Sequence, residues 1–127
     1  TDVLNSVRSP FNVSSLGLKM AELSLADVNF VNEQRELNKV NRDKLRNNLL
    51  GLGLKIDQSF ANFLLLRFES EEQANKIDLS LKEKGFILRK VSSYGLPKCL
   101  RLSIGNKEIC EKIYLTLEEC LKDNDRV

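Results

Sequence analysis

The sequence contains no histidine among its 127 residues. Because imidazole is the usual general base for serine and cysteine nucleophiles, Ser-His and Cys-His catalytic arrangements are excluded within this chain. The three cysteines, Cys99, Cys110 and Cys120, form no Cys-x-x-Cys pair, so we expect no metal site. Three thiols cannot all pair within one chain, and we expect them to be reduced, half-buried packing groups in a cytoplasmic protein.

The sequence also lacks an excess of charge of one sign. Lysine and arginine number 20 and aspartate and glutamate 18, which gives a net charge of only +2. A general nucleic-acid binder needs a concentrated basic surface, so we expect no nucleic-acid partner. No apolar run reaches the length that spans a membrane, so we expect no membrane partner either.

The length and composition are those of an ordinary globular protein. A chain of 127 residues, 42% hydrophobic and 30% charged, supports one compact domain with a modest core. The first residues, TDVLNS, resemble neither a signal peptide nor an initiator-methionine start. We therefore expect the chain to begin within a longer gene product.

The first half of the sequence predicts two helices in succession. Ser14 or Ser15 can cap the first, and Asp27 can cap a second, long helix over 28–50. That helix is roughly 35 Å long at about 1.5 Å per residue, longer than a small core needs. We expect it to link two domains, with its mixed charges forming a solvated face. The predicted division is a connector with short helices at 1–26, an inter-domain helix at 27–53 and an α+β domain at 54–127.

The second half predicts a small α+β layer. The apolar run that ends at Phe68 predicts a strand, and Ser70-Glu71-Glu72-Gln73 matches a capping box that starts a helix. Further strands are predicted at 86–91 and 100–104, and a last helix begins after Asn106. The predicted fold class is therefore α+β, with a small sheet of about three strands and helices on one face, preceded by the long linking helix.

Two arginines on neighbouring predicted strands form the candidate site. Residues alternate in polarity from Cys99 to Ile104, which places Arg101 on the face opposite the leucines beside it. Arg89 ends the preceding apolar run, and pairing of the two strands would bring both guanidinium groups to one space near Tyr94. A guanidinium matches a carboxylate or phosphate bidentately, so the pair predicts a site for a small dianionic ligand. The alternative, in which either arginine pairs with a surface carboxylate, remains open from the residues alone.

Three segments, in this order, resemble motifs of the histidinol-phosphate aminotransferases. Segment 8–14 (RSPFNVS) is similar to the stretch that follows the cofactor domain in that family. Segment 59–63 (SFANF) resembles its Ser-x-Ala-Asn-Phe strand, and Arg89 with segment 94–105 (YGLPKCLRLSIG) resembles its C-terminal signature. Each motif alone is short, but the ordered set spans almost the whole chain.

The resemblance implies the C-terminal small domain of a fold-type I aminotransferase that uses pyridoxal 5'-phosphate. Such an enzyme transfers an amino group between L-histidinol phosphate and 2-oxoglutarate in histidine biosynthesis. By position, Arg101 would bind the α-carboxylate of an amino-acid substrate and Arg89 the phosphate of a phosphorylated one. Asn12 and Asn62 match motif positions and, with Tyr94, are candidate cleft-lining residues. The resemblance also implies a homodimer when the protein is intact.

The same resemblance places the catalytic groups outside this chain. The lysine that forms the Schiff base, and the aspartate that pairs with the cofactor's pyridine nitrogen, are expected upstream of Thr1 in a cofactor domain. Lys90 and Lys98 match no such motif. We therefore expect no catalytic residue here, no productive cofactor binding by this chain alone, and no activity without the upstream domain.

Two alternatives stay open. One is the small domain of a related enzyme that uses the same cofactor, such as a threonine-phosphate decarboxylase or an aromatic aminotransferase. The other is a free-standing α+β binding module, because fold alone does not establish function.

Overall fold

The structure, a computed structural model, describes Val3 and residues 13–124. Residues 1–2 and 4–12 of the predicted connector, among them candidate residue Asn12, lie outside the described residues, as do residues 125–127. The chain divides into two units, with the boundary between Gln34 and Arg35. The three-part division made from the sequence stays a prediction.

The two consecutive helices begin at the predicted caps. Helix α1 covers Ser15–Ala26, and the Ser14 hydroxyl accepts a hydrogen bond from the Gly17 amide at 3.1 Å. Helix α2 covers Val28–Gly51, and the Asp27 carboxylate accepts one from the Phe30 amide at 3.1 Å. Each cap satisfies an amide that has no partner within its helix, so the break near Ala26 is confirmed.

Two glycines stand at the C-terminal end of α2, close to the predicted end of the helix at residue 50. Gly51 remains helical, and of the two only Gly53 has a positive φ, of 83°. One left-handed residue is enough to end a helix, since it turns the chain away and frees the last carbonyls for turn hydrogen bonds.

Four strands form one antiparallel sheet in the order β1-β2-β4-β3. The strands are β1 Lys55–Ile56, β2 Phe63–Arg67, β3 Arg89–Lys90 and β4 Cys99–Ser103. The prediction of about three strands missed β1, which is only two residues long. The strand expected over 86–91 is likewise shortened to β3, because a 3₁₀ turn at Ser92–Tyr94 follows at once.

Two further helices cover the sheet, and both begin as predicted. Helix α3 is Glu71–Glu83 and helix α4 is Lys107–Asn124. The Ser70 hydroxyl accepts from the Gln73 amide at 3.0 Å, while the Gln73 side chain accepts from the Glu69 amide at 2.9 Å, one residue earlier than the standard capping box. Asn106 caps α4 by accepting from the Ile109 amide at 2.9 Å.

The core lies on one face of the sheet. Alternate residues of β2 and β4 are buried there and are directly paired, Leu64 with Leu102 and Leu66 with Leu100. They join buried apolar residues of the helices, namely Leu45, Leu49, Ala74, Ile77, Leu81, Ile113 and Leu117. Each fully buried leucine or isoleucine contributes about 1.5–3 kcal/mol through the hydrophobic effect.

The opposite face of the sheet holds the candidate site. Phe63, Leu65 and Arg101 point there and are only half-buried. This asymmetry agrees with the predicted arrangement of helices on one face. None of the helices in the described part of the chain is long and apolar enough to cross a bilayer.

Candidate functional site

Arg89 and Arg101 are direct cross-strand partners. The antiparallel register of β3 and β4 pairs Arg89 with Arg101 and Lys90 with Leu100. Directly paired residues point to the same face with Cβ atoms about 4.5–5.5 Å apart. The structure therefore brings together the two arginines singled out from the sequence, and their roles as ligand groups stay a prediction.

Arg101 is held from one side by an aromatic ring. Its guanidinium carbon lies 5.2 Å from the centroid of the Phe63 ring, which is on the neighbouring strand and diagonal to Arg101 in the register. A cation at this distance from a ring face is attracted by the ring's quadrupole. Phe63 thereby restricts the swing of the guanidinium.

One donor of Arg101 has no partner. Its Nε atom is buried, and no hydrogen-bond acceptor reaches it from the residues that the structure describes. Leaving a buried donor unpaired typically costs about 1–3 kcal/mol. An acceptor delivered by a bound anion removes that cost, since Nε and one terminal nitrogen form the bidentate edge of a guanidinium.

Arg89 is more exposed and is oriented by Tyr94. Its Nη2 atom donates to the Tyr94 hydroxyl at 3.2 Å, and the guanidinium carbon lies 5.9 Å from the ring centroid. The 3₁₀ turn at Ser92–Tyr94 lies between the two residues and folds the chain back toward Arg89, and the left-handed Gly95, with φ of 75°, ends that turn. Tyr94 itself is 65% exposed. Tyr94 thus contacts one of the two arginines from the side of the loop.

Neither arginine has a carboxylate partner within the described chain. Two other arginines do: Arg67 pairs with Asp57, whose hydrogen bond raises the Arg67 pKa, and Arg42 pairs with Asp43. Two unneutralised like charges that face each other across strands destabilise the pairing. An anion bound between them would relieve both the repulsion and the unpaired donor.

Asn62 precedes β2, and its backbone has a structural role. Its carbonyl accepts from the Ile104 amide at 2.8 Å, which extends the β2–β4 pairing by one hydrogen bond. The side chain is exposed and makes no hydrogen bond to any residue within 13–124. The structure does not bring this side chain to the two arginines, and its role as a cleft-lining residue stays a prediction.

Helix α2 anchors the loop before β2, which the sequence reasoning missed. The charges of α2 were expected to form a solvated face, but Arg42 is only 6% exposed. It donates to the Ala61 carbonyl at 3.4 Å, and Arg46 donates to the Ile56 carbonyl at 3.0 Å. The first contact pairs with a carbonyl of the loop before β2 and the second with a carbonyl of β1. The expectation of a solvated face was therefore wrong for Arg42. Its place beside Leu45 and Leu49 on one helical face was the available signal.

The thiols of Cys110 and Cys120 are unreactive at neutral pH. Burial raises the pKa of Cys110 and of Cys120, so both thiols stay protonated at neutral pH. All three cysteines are free and buried, which agrees with the packing role expected of them. Within the described residues, no group of three or more side chains could hold a metal ion.

Comparison with known proteins finds one matching family and several curated relatives. The family model described as aminotransferase class I and II matches residues 1–114. The histidinol-phosphate aminotransferase of Jannaschia sp. is 44% identical over 116 residues, which are 91% of this chain and 32% of that protein. That of Ruegeria sp. is 40% identical over 118 residues, 93% of this chain and 33% of that protein. The chain thus spans about a third of the length of these curated relatives.

A solved structure has the same fold. It is the histidinol-phosphate aminotransferase of Sinorhizobium meliloti in complex with pyridoxal-5'-phosphate, with a TM-score of 0.81 and 21% identity over 96% of this chain and 34% of that chain. At this identity the likeness concerns the fold alone. It confirms the predicted small α+β domain with a long preceding helix.

Proposed function

This chain belongs to the class I and II aminotransferase family, and from that premise we propose that it is the substrate-recognition part of a transaminase that uses pyridoxal 5'-phosphate. The reaction proposed for the complete enzyme is amino transfer between L-histidinol phosphate and 2-oxoglutarate. The observation that carries the proposal is the direct pairing of Arg89 and Arg101, neither with a carboxylate partner among the described residues, on the face of the sheet opposite the core.

The two arginines have different roles in this proposal. Arg101, backed by Phe63 and left with a free buried donor, binds the α-carboxylate of an amino-acid substrate. Arg89, more exposed and oriented by Tyr94, binds the phosphate of a phosphorylated substrate. Such contacts act by orienting the substrate, which contributes through positioning rather than proton transfer. Closure of the domain over the substrate would exclude water from the same contacts.

The cofactor's chemistry lies outside this chain in our proposal. When bound, pyridoxal 5'-phosphate supplies the electron sink for amino transfer. The described lysines do not fit the group that holds it, because every one of them is exposed at the surface. Lys98, for example, is exposed and donates to the Glu69 carbonyl at 3.1 Å. We therefore propose that this chain alone is inactive and that the holding groups belong to the rest of the enzyme.

The proposed complete enzyme is a cytosolic homodimer. Three free, buried thiols support a reducing compartment. In the first unit, Leu16, Met20 and Leu23 share one face of α1 and are each at least 61% exposed. Apolar side chains clustered on one short helix favour contact with further protein surface, as a dimer or the cofactor domain would provide.

The test compares two half-reactions of the complete enzyme, measured separately in single-turnover experiments with L-histidinol phosphate and with L-glutamate. Arg89→Ala removes a charge-assisted bond of about 1.5–3 kcal/mol, so we expect binding of L-histidinol phosphate to weaken roughly 10- to 100-fold and that of L-glutamate to change little. Arg101→Ala should weaken both substrates, because it removes the carboxylate contact and one of two cations near the phosphate. Lys112→Ala removes an exposed positive charge from α4 and serves as the control.

Equal losses for both substrates in Arg89→Ala would refute the assignment of Arg89 to phosphate. Turnover of threonine phosphate with release of CO₂, or a preference for aromatic amino acids, would replace the proposed substrate and leave the family unchanged. Failure of the wild-type complete protein to transfer any amino group would refute the proposed function itself.

A further inference from the structure

A fully buried carboxylate lies under the strand that carries Arg89. Asp78 of α3 is 0% exposed and shares a helix face with the core residues Ala74, Ile77 and Leu81. Its Oδ2 atom is 2.7 Å from the Lys82 ammonium and 3.4 Å from that of Lys90. A charge at this depth is costly unless it is paired, so both lysines are held to it strongly.

Lys90 connects this carboxylate to β3. Besides Asp78, its ammonium donates to the Asn75 side-chain oxygen at 2.7 Å. Successive residues of a strand point to opposite faces, so Lys90 faces α3 while Arg89 faces away from the core. These contacts attach α3 to β3 through Lys90, the residue next to the proposed phosphate ligand Arg89.

Strand β3 needs this additional contact, because its own pairing in the sheet is short. It is two residues long and lies at the edge of the sheet, paired only with β4. One of its two residue pairs sets Arg89 against Arg101, and like charges in direct opposition weaken the pairing. A slip of one residue would turn Arg89 to the helix side and remove it from the site.

We propose that Lys90, held by Asp78 and Asn75 of α3, is a positioning residue that fixes the register of β3 and so directs Arg89 at the substrate's phosphate. The proposal rests on the proposed function and extends it to side chains on the far face of the sheet. It also assigns a role to the buried Asp78, which the proposed reaction does not otherwise use.

Lys82 supplies a matched control. Lys82 and Lys90 contact the same oxygen of Asp78, and each is exposed at its side chain to a similar degree, 43% and 46%. Lys82 belongs to α3 itself, four residues from Asp78, whereas Lys90 reaches Asp78 from β3. Removing either lysine leaves the carboxylate with one cation. Only the loss of Lys90 removes the ion pair that joins α3 to β3.

The experiment uses the complete enzyme with Lys90→Met and Lys82→Met, both of which keep an unbranched stem. In the half-reactions described above, we expect Lys90→Met to weaken L-histidinol phosphate about fivefold, with the rate constant at saturation and the L-glutamate half-reaction little changed. Lys82→Met should leave the ratio of the two affinities at the wild-type value. Lys90→Arg, which can still pair with Asp78, should restore most of the loss.

Two further measurements separate positioning from general stability. In an Arg89→Ala background, Lys90→Met should cause no additional loss for L-histidinol phosphate, because the strand no longer carries the ligand group. Hydrogen–deuterium exchange of segment 86–91 should be faster in Lys90→Met than in Lys82→Met. If Lys90→Met does not fold, Lys90→Gln and Lys82→Gln replace the pair, since a glutamine can still donate to Asn75.

An unchanged affinity ratio in the Lys90 variant overturns the proposal. Equal effects of the Lys90 and Lys82 variants overturn it as well. The same holds if the loss of affinity from Lys90→Met adds to the loss from Arg89→Ala. These outcomes are distinct from a failure of the proposed function, in which the wild-type enzyme itself does not accept L-histidinol phosphate.

Discussion

Replacing Arg101 by methionine should not destabilise the substrate-free protein, although it should disable substrate binding. The change removes the repulsion with Arg89, worth about 0.2–1 kcal/mol for like charges in direct opposition. It also removes the unpaired buried Nε, which costs roughly 1 kcal/mol at the low end expected for a half-buried residue. The lost attraction to the Phe63 ring offsets about 0.5–1 kcal/mol of this gain. The sum favours the variant by about 0 to 1.5 kcal/mol.

Hydrogen–deuterium exchange of the peptide that covers β4 measures this effect locally. In the absence of substrate, exchange in Arg101→Met should equal that of the wild type or be up to about tenfold slower. Added L-histidinol phosphate should slow exchange in the wild type, because a ligand stabilises the state that binds it, and should have a much smaller effect in the variant.

Arg67→Met is the matched control on the same face of the sheet. Arg67 pairs with Asp57, so its loss removes a favourable contact and should speed exchange modestly, by the few tenths of a kcal/mol to about 1 kcal/mol typical of exposed pairs. The two arginine variants are therefore expected to differ in sign. If Arg101→Met speeds exchange in β4 more than Arg67→Met does, Arg101 is part of the structural framework and the inference of an anion site is wrong.

Two further predictions concern the framework around the site. Gly105→Ala would place a Cβ 2.8 Å from the Cγ2 atom of Ile109 at the start of α4, so we expect a loss of about 1–3 kcal/mol in urea denaturation, largely recovered when Ile109→Ala is added. Burial raises the pKa of the Cys110 and Cys120 thiols, so the folded state holds protons that the unfolded state releases, and stability should fall as the pH rises above about 8.5. The double variant Cys110→Ala, Cys120→Ala should lose that slope; an unchanged slope would assign it to other groups.

Local rules were sufficient for the helices. Ser14, Asp27, Ser70 and Asn106 each cap the helix that they were expected to start. Capping depends on a short side chain that accepts a hydrogen bond from an amide three residues later, so the capping residue can be read from the sequence. The short strands were less predictable: β1 was missed, and β3 is two residues rather than six. Their lengths depend on which backbone groups of a neighbouring strand are within reach, and that is a property of the assembled sheet.

The sequence by itself determined the α+β class, the alternation that turns Arg101 away from the core, and the family resemblance. These follow from periodicity and from an ordered set of short motifs, both of which are local. Only the tertiary structure decided that Arg89 lies directly opposite Arg101 and that the Phe63 ring packs against Arg101. It also decided that Asp78 pairs with Lys90, on the strand that carries Arg89. Register and burial arise from pairings between residues far apart in the chain, so no window of the sequence contains them.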